Sequence, residues 1–268
     1  MVNGFVFRCS NFVSLILRQK MKKVFITGAN KGIGFEVAKQ LLQEGEYIYL
    51  GSRNLENGRQ AVEKLKAKGL TNVEAIEIDV TDAVSVDNAR KTVAEKTESL
   101  DILINNAGIS GGMSQTALAA SVDDQFKNVY ETNVFGVVRV TQNFVGLLAK
   151  SDEPRIVNVS SSQGSITLHS DPSLGYQYYD FKGAVYLSSK AALNMYTVNL
   201  AYELRDTKFK VNAVSPGFTK TDFTNNMGTG NIEDAASRIV KYALIDENGP
   251  TGKFFCEETN PETGEIPW

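Results

Sequence analysis

The sequence predicts a single α/β domain, a doubly wound parallel sheet with helices on both faces, and three observations predict it. Short β-rich apolar runs alternate with longer segments of helical periodicity from Lys22 onward. A glycine-punctuated turn, TGANKGIG (Thr27 to Gly34), lies directly between the first strand and the first helix. No internal repeat, low-complexity tract or linker interrupts residues 21–268, which read as one unit. Alternation of this kind puts parallel strands in the middle and crossover helices outside.

The elements follow in order. Lys23 to Thr27 is a short strand, after which Ile33, Val37, Ala38, Leu41 and Leu42 recur at helical spacing. Gly45 ends that helix, and YIYL (Tyr47 to Leu50) supplies the second strand. A polar helix near Leu55 to Lys68, the strand VEAIEI (Val73 to Ile78), a helix from Ser85 to Thr97 and the strand DILI (Asp101 to Ile104) continue the alternation. One long helical region spans about Val122 to Leu148 and leads into RIVNVS (Arg155 to Ser160). A long helix from about Ala184 to Arg205, the strand KVNAVS (Lys210 to Ser215), a helix near Glu233 to Leu244 and a last strand KFF (Lys253 to Phe255) complete the reading.

Composition excludes several classes of function. A net charge of -3 over 268 residues gives no cationic excess with which to grip a nucleic-acid backbone. The two cysteines, Cys9 and Cys256, lack metal-ligand companions, so no zinc site and no disulfide framework is expected, and a reducing, cytoplasmic setting fits them. His169 is the only histidine and reads as a surface loop residue ahead of Asp171-Pro172 rather than a catalytic base. Residues 1–20 carry Arg8, Arg18 and Lys20 with no acidic residue, and precede Met21, itself a natural start. An incidental upstream extension, a membrane-surface or docking helix, and an organelle-targeting segment are the three readings; the apolar stretch is too short for export.

In doubly wound folds ligands lie outside the carboxyl ends of the strands. The first glycine turn meets a helix N-terminus there, a natural seat for a dinucleotide pyrophosphate. Gly28, Gly32 and Gly34 are spaced G-x-x-x-G-x-G rather than G-x-G-x-x-G, and with Asn30, Lys31 and Ile33 they are the candidates for that end. The end of the second strand reads Ser52-Arg53-Asn54, with no carboxylate to hold a ribose 2′-hydroxyl. Arg53, joined by Lys31, suits a 2′-phosphate instead, so NADPH is the expected cofactor.

Five ordered features then resemble the short-chain dehydrogenase/reductase family in its carbonyl-reductase-like form, a Rossmann-type fold. They are TGANKGIG, NNAG (Asn105 to Gly108), Asn133 in ETNVFG, NVSS (Asn158 to Ser161) followed by Y-x-x-x-K, and SPGFTKT (Ser215 to Thr221). The resemblance implies that Ser161 orients the substrate carbonyl and that Tyr186 is the general acid or base. It implies that Lys190 holds the nicotinamide ribose and lowers the tyrosine pKa, and that Asn133 supports a water-linked proton path. Asp79 and Val80 would contact adenine; Asn106, Ala107 and Gly108 would line the cofactor, with Pro216, Gly217, Thr219 and Thr221 near nicotinamide and phosphates. Reduction of a ketone builds negative charge on oxygen, which pre-placed hydroxyl donors stabilise. An unperturbed tyrosine, with a pKa of about 10, has on the order of one phenolate per thousand at neutral pH.

Y-x-x-x-K occurs twice, as Tyr178/Lys182 and Tyr186/Lys190. The second pair opens a run that continues as one helix, so both side chains share a face. Lys182 is followed by Gly183, a helix stop, so Tyr178 is expected to cover or pack near the site. Ser161 and Tyr186 stand 25 positions apart, against about a dozen in the commonest members of the family. The insertion leaves Ser160 and Ser162 open as alternatives to Ser161, and leaves monomer, dimer and tetramer all open.

These residues imply hydride transfer between NADP(H) and a ketone, aldehyde or secondary alcohol. A cofactor-binding sensor or scaffold without turnover is the reading from another class, against which the intact chemical residues argue. A sugar epimerase or dehydratase normally needs a larger C-terminal portion than the roughly 47 residues after Thr221. Phe218, Phe223 and Met227, with the tyrosine-rich insertion, suggest an apolar substrate pocket or, equally, helix packing.

Overall fold

The computed structural model describes residues 20–112 and 116–268. Readings of residues 1–19, including Cys9 and the targeting or docking segment, lie outside the described residues. Among the described residues the strands are β1 (Lys23–Ile26), β2 (Tyr47–Ser52), β3 (Val73–Glu77), β4 (Ile102–Asn105), β5 (Arg155–Val159), β6 (Lys210–Val214) and β7 (Phe254–Phe255). All pair in parallel in the order β3-β2-β1-β4-β5-β6-β7. The α-helices are α1 (Gly32–Gln43), α2 (Leu55–Lys66), α3 (Ala83–Ala94), α4 (Lys127–Tyr130), α5 (Gly136–Leu148), α6 (Ile166–Ser170), α7 (Ala184–Glu203) and α8 (Ile232–Ala243).

Alternation along β1 shows how the two faces are filled. Val24 and Ile26 join Val37 and Leu41 of α1, Leu65 of α2 and Ile239 of α8 in one core. Phe25, pointing the other way, joins Val86 and Val93 of α3, Val140 and Phe144 of α5, and Leu200 of α7. The central strands β4 and β5 are buried along their whole length, which is why they read as apolar runs rather than alternating ones. Because β1 pairs with both β2 and β4, the order in which strands are added across the sheet reverses at β1, and a crevice opens above the carboxyl ends of β1 and β4.

The long helical region read over Val122 to Leu148 is not one α-helix. Five-residue π-type segments, Val122–Phe126 and Glu131–Phe135, flank α4 before α5 begins. Asn133 lies in the second of these wider turns, a kind of irregularity common at functional sites. Its side chain is pinned: Oδ1 accepts from Ile109 N at 2.9 Å, and Nδ2 donates to Ile109 O at 2.9 Å and Ser189 Oγ at 3.1 Å. Among the described residues no helix is long and apolar enough to cross a membrane.

Candidate active site

The glycine turn and the segment after β4 are fastened to each other. Thr27 Oγ1 accepts from Asn106 N and Ala107 N, both at 3.0 Å, while Asn106 Nδ2 donates to Thr27 O and Gly28 O at 2.9 and 3.0 Å. This close approach requires glycine at position 34, where a Cβ would sit 2.4 Å from Asn106 Nδ2 and 2.8 Å from Gly28 O. Gly28 itself has φ of +64°, a left-handed conformation that a side chain would strain.

Helices α2, α3 and α8 begin on side-chain caps from Asn54, Asp82 and Asn231. Helix α1 begins at Lys31 with no side-chain cap and no acidic residue in its first turn. Its first N–H groups and the positive end of its dipole are thus free to meet an anion. The residues that surround this end, Gly28, Asn30, Lys31, Gly32, Ile33 and Gly34, all line a cavity of about 1020 Å³.

Arg53, at the end of β2, also lines the cavity. Among the described residues it has no hydrogen-bond or ion-pair partner. Its neighbours behave differently from expectation. Ser52 is buried, with its hydroxyl donating to Asn54 O at 2.8 Å, and Asn54 Oδ1 accepts from Asn57 N at 2.9 Å. Neither lines the cavity, because both side chains are consumed in starting α2. Asp79 and Val80 line it, with Asp79 Oδ1 accepting from Thr81 N and Oγ1 at 2.9 and 2.7 Å. Asn106, Ala107, Gly108, Pro216, Gly217, Thr219 and Thr221 line it as well.

At the other end, α7 places Tyr186 and Lys190 one turn apart on the face toward β5. Lys190 is 5% exposed and donates from Nζ to Val159 O at 2.9 Å, which holds the ammonium 5.7 Å from the centre of the Tyr186 ring. Burial pulls this ammonium down from 10.5 to about 8. Tyr186 is hydrogen-bonded to Ser161. Its hydroxyl is pushed up to about 12 by burial, against the smaller opposing pull of that bond. Among the protein's own groups desolvation of the phenolate outweighs the lowering expected from Lys190, so the Tyr186 hydroxyl is protonated at neutral pH.

The three serines separate cleanly. Ser160 Oγ donates to Asn194 Oδ1 at 2.6 Å, and Ser162 Oγ accepts from Tyr176 Oη at 2.9 Å. Ser161 faces Tyr186 and opens the short 3-10 turn Ser162–Gly164, accepting from Gln163 N at 3.3 Å. Asn133 is fully buried just behind this end and does not line the cavity.

The other tyrosine–lysine pair is dispersed. Lys182 Nζ lies 4.0 Å from the Tyr179 ring centre and reaches His169 O at 3.3 Å. Tyr178 lines the cavity, edge-on to Phe218 at 5.8 Å. Its hydroxyl bonds to Glu258, which also accepts from Phe218 N at 3.1 Å. His169 is a half-buried member of α6, not a surface loop residue, because Tyr176 packs edge-on against its ring at 5.2 Å. Phe218, Phe223 and Met227 do line the cavity, and the Phe223 ring lies 5.7 Å from that of Tyr186. Gln163, Ile109, Thr132 and Asp222 line it too and were not singled out from sequence. Gln163 had a usable signal, its place two residues beyond Ser161; the others had none.

A parallel sheet with a bare helix N-terminus at one end of a switch-point cavity, and a half-buried tyrosine and serine beside a buried lysine at the other, has the layout of a nucleotide-binding α/β protein. The short chain dehydrogenase family profile matches residues 22–231. Salutaridine reductase of Papaver bracteatum is 33% identical, over 93% of this chain and 97% of that protein. (+)-Neomenthol dehydrogenase of Arabidopsis thaliana is 36% identical, over 87% and 95%. Among solved structures, an NADPH-bound carbonyl reductase from chicken fatty liver is similar with a TM-score of 0.77 at 27% identity, over 93% of this chain and 100% of that one. The chain belongs to the short-chain dehydrogenase family and is an oxidoreductase of that family.

Proposed function

We propose that the protein is an NADPH-dependent carbonyl reductase that converts a ketone or aldehyde to the alcohol, reversibly. The observation that carries this reading is the convergence of Tyr186, Ser161 and buried Lys190 in the cavity that the uncapped start of α1 and Arg53 also line. The residues present fit a phosphorylated dinucleotide. The N–H groups of Gly32, Ile33 and Gly34 suit the pyrophosphate, Arg53 and Lys31 suit a 2′-phosphate, and the buried Lys190 ammonium suits ribose hydroxyls. The relative of known structure that holds NADPH supports the same choice.

NADPH, when bound, supplies the hydride. The chain's own residues supply the proton and the geometry. Tyr186, kept neutral by burial, donates its proton to the carbonyl oxygen, and Ser161 donates a second hydrogen bond to the same oxygen as negative charge builds there. Lys190, held by Val159 O, puts a positive charge beside the phenolate that Tyr186 becomes. Asn133 holds the Ile109 backbone and Ser189 next to this group, so its role is to fix the shape of the site. Tyr178, Phe181, Phe218, Phe223 and Met227 give the substrate end an apolar, aromatic wall, which favours a cyclic or otherwise bulky carbonyl compound. Salutaridine and menthol-type relatives act on such compounds by their names, which supports the same substrate class.

The test is NADPH oxidation across a panel of cyclic ketones and aldehydes. Tyr186→Phe is expected to lower kcat by about 10²–10⁴ while NADPH affinity changes less than about twofold. Undiminished turnover in this variant would remove Tyr186 from the chemistry. NADPH binding without reduction of any panel member would favour a cofactor-binding protein that does not turn over.

A further inference from the structure

Lys31 and Arg53, the two cations assigned to the 2′-phosphate end, are in different states. Arg53 has no partner among the described residues, whereas Lys31 Nζ bridges to Asp222 Oδ2 at 3.2 Å. They belong to one corner of the cavity: Ala29 N donates to Gly51 O at 2.8 Å, so the glycine turn is laced to the end of β2 just before Arg53. Asp222 comes from the far side, on the turn after Thr221 that also carries Phe223 and Met227. Both members of the bridge line the cavity, and both side chains are mostly exposed, at 70% and 75%.

An ammonium has one place at a time. Bound to Asp222, Lys31 is drawn toward the loop of the substrate end and away from β2; bound to a phosphate beside Arg53, it has to leave Asp222. A single exposed ion pair is a weak contact, easily exchanged for a dianionic phosphate that two cations share. A 2′-hydroxyl has no charge with which to make that exchange. Resting on the NADPH reading above, we infer that Asp222 is a cofactor-specificity residue: it competes for Lys31, and only a dinucleotide bearing a 2′-phosphate displaces it. The carboxylate thus sets how far NADPH is preferred over NADH without touching either cofactor itself. Exchange also releases the loop of Asp222, Phe223 and Met227 from the glycine turn when the phosphorylated cofactor is in place.

Asp222 is suited to a clean test, because its side chain makes no other hydrogen bond among the described residues and its backbone carbonyl keeps the Asn225 N–H in any variant. Dissociation constants for NADPH and NADH would be measured by fluorescence titration, at low and at high salt, for wild type, Asp222→Asn, Lys31→Met and the double variant. Expected for Asp222→Asn at low salt is an NADPH Kd lower by about threefold, equivalent to ~0.65 kcal/mol, with NADH changed by less than about 1.5-fold. In the Lys31→Met background the same substitution should leave the NADPH/NADH ratio unchanged, and high salt should shrink the effect. A parallel weakening of both cofactors would overturn the inference, since it marks a bridge that stays closed over the dinucleotide. So would equal tightening of both, or an unchanged effect without Lys31, either of which marks simple repulsion by Asp222. A wild type that binds NADH as tightly as NADPH would instead defeat the NADPH reading on which the inference stands.

Discussion

Lys190→Met is expected to make the folded protein more stable at neutral pH, and the size of the effect follows from where the lysine sits. Burial brings the Lys190 ammonium from 10.5 to about 8, so the folded chain holds this proton less tightly than the unfolded chain does. The cost of keeping the charge is fully present below about pH 8, diminishes between about 8 and 10.5 and is absent above. At about 1.4 kcal/mol per pH unit the gap corresponds to about 3 kcal/mol at pH 7, falling to about 1–2 kcal/mol at pH 9.5. Methionine removes that cost but leaves Val159 O without its 2.9 Å donor, a loss of about 1–2 kcal/mol that does not depend on pH. The variant should therefore gain roughly 1–2 kcal/mol at pH 7 and nothing, or a small loss, at pH 9.5. Urea unfolding of both proteins at the two pH values measures it, and the diagnostic is a change of about 2 kcal/mol in their stability difference. A stability difference that is the same at both pH values would refute the buried, pH-sensitive ammonium. Activity should fall in the same variant, the familiar opposition between a strained site and a stable one.

Ser161→Ala should lower kcat by about 10²–10³, while Ser162→Ala, which only frees Tyr176, should cost about 1 kcal/mol in urea unfolding and leave kcat within a few-fold. The reverse pattern would move the assignment to Ser162. Arg53→Ala should weaken NADPH by about tenfold or more and NADH by less than about twofold, read by titration; equal losses would contradict the phosphate contact. Glu258→Leu strips acceptors from Phe218 N and Tyr178, so KM for a cyclic ketone that the wild type reduces should rise about fivefold or more while NADPH affinity stays within about twofold. Glu258→Gln, which keeps an acceptor oxygen, should restore most of the loss.

Much of the fold was legible because a parallel sheet buried on both faces writes itself as apolar runs between helical repeats. β2 and α8 fall within a residue or two of their sequence limits. Gly183 correctly separated the two tyrosine–lysine pairs, since it stands at the N-cap of α7 and leaves Lys182 outside the helix. What side-chain periodicity does not encode is hydrogen-bond register, so the π-type turns at Val122–Phe126 and Glu131–Phe135 passed as α-helix. Nor does residue type distinguish three adjacent serines; the choice is made by backbone direction where β5 passes into the 3-10 turn. The direction of the Tyr186 shift was missed because it depends on burial, a non-local property, rather than on the lysine one turn away. Ser52 and Asn54 spend their side chains on local backbone partners that a sequence does not announce.

The long gap between Ser161 and Tyr186 is the feature most at odds with a shared active site, and the structure resolves it by anchoring rather than by shortening. Doubling a connection from about a dozen residues adds only ~0.6 kcal/mol of closure entropy, less than one ordinary hydrogen bond contributes. Several such bonds hold the insertion. Tyr176 Oη reaches back to Ser162, Ser165 Oγ donates to Pro267 O at 2.7 Å, and Thr167 N donates to Trp268 O at 3.0 Å. Leu168 and Tyr176 then pack with Phe254, Cys256 and Ile266, and Trp268 stacks on Phe254 at 5.3 Å. Both ends of the insertion are consequently tied to β7 and the residues after it, and the serine and tyrosine they flank inherit the rigidity of the sheet edge. The same anchoring brings Tyr178 to the mouth of the cavity, beside Phe218. Extra chain that in another setting would loosen the pairing of Ser161 with Tyr186 here builds part of the cavity wall, through Tyr178 and Phe181.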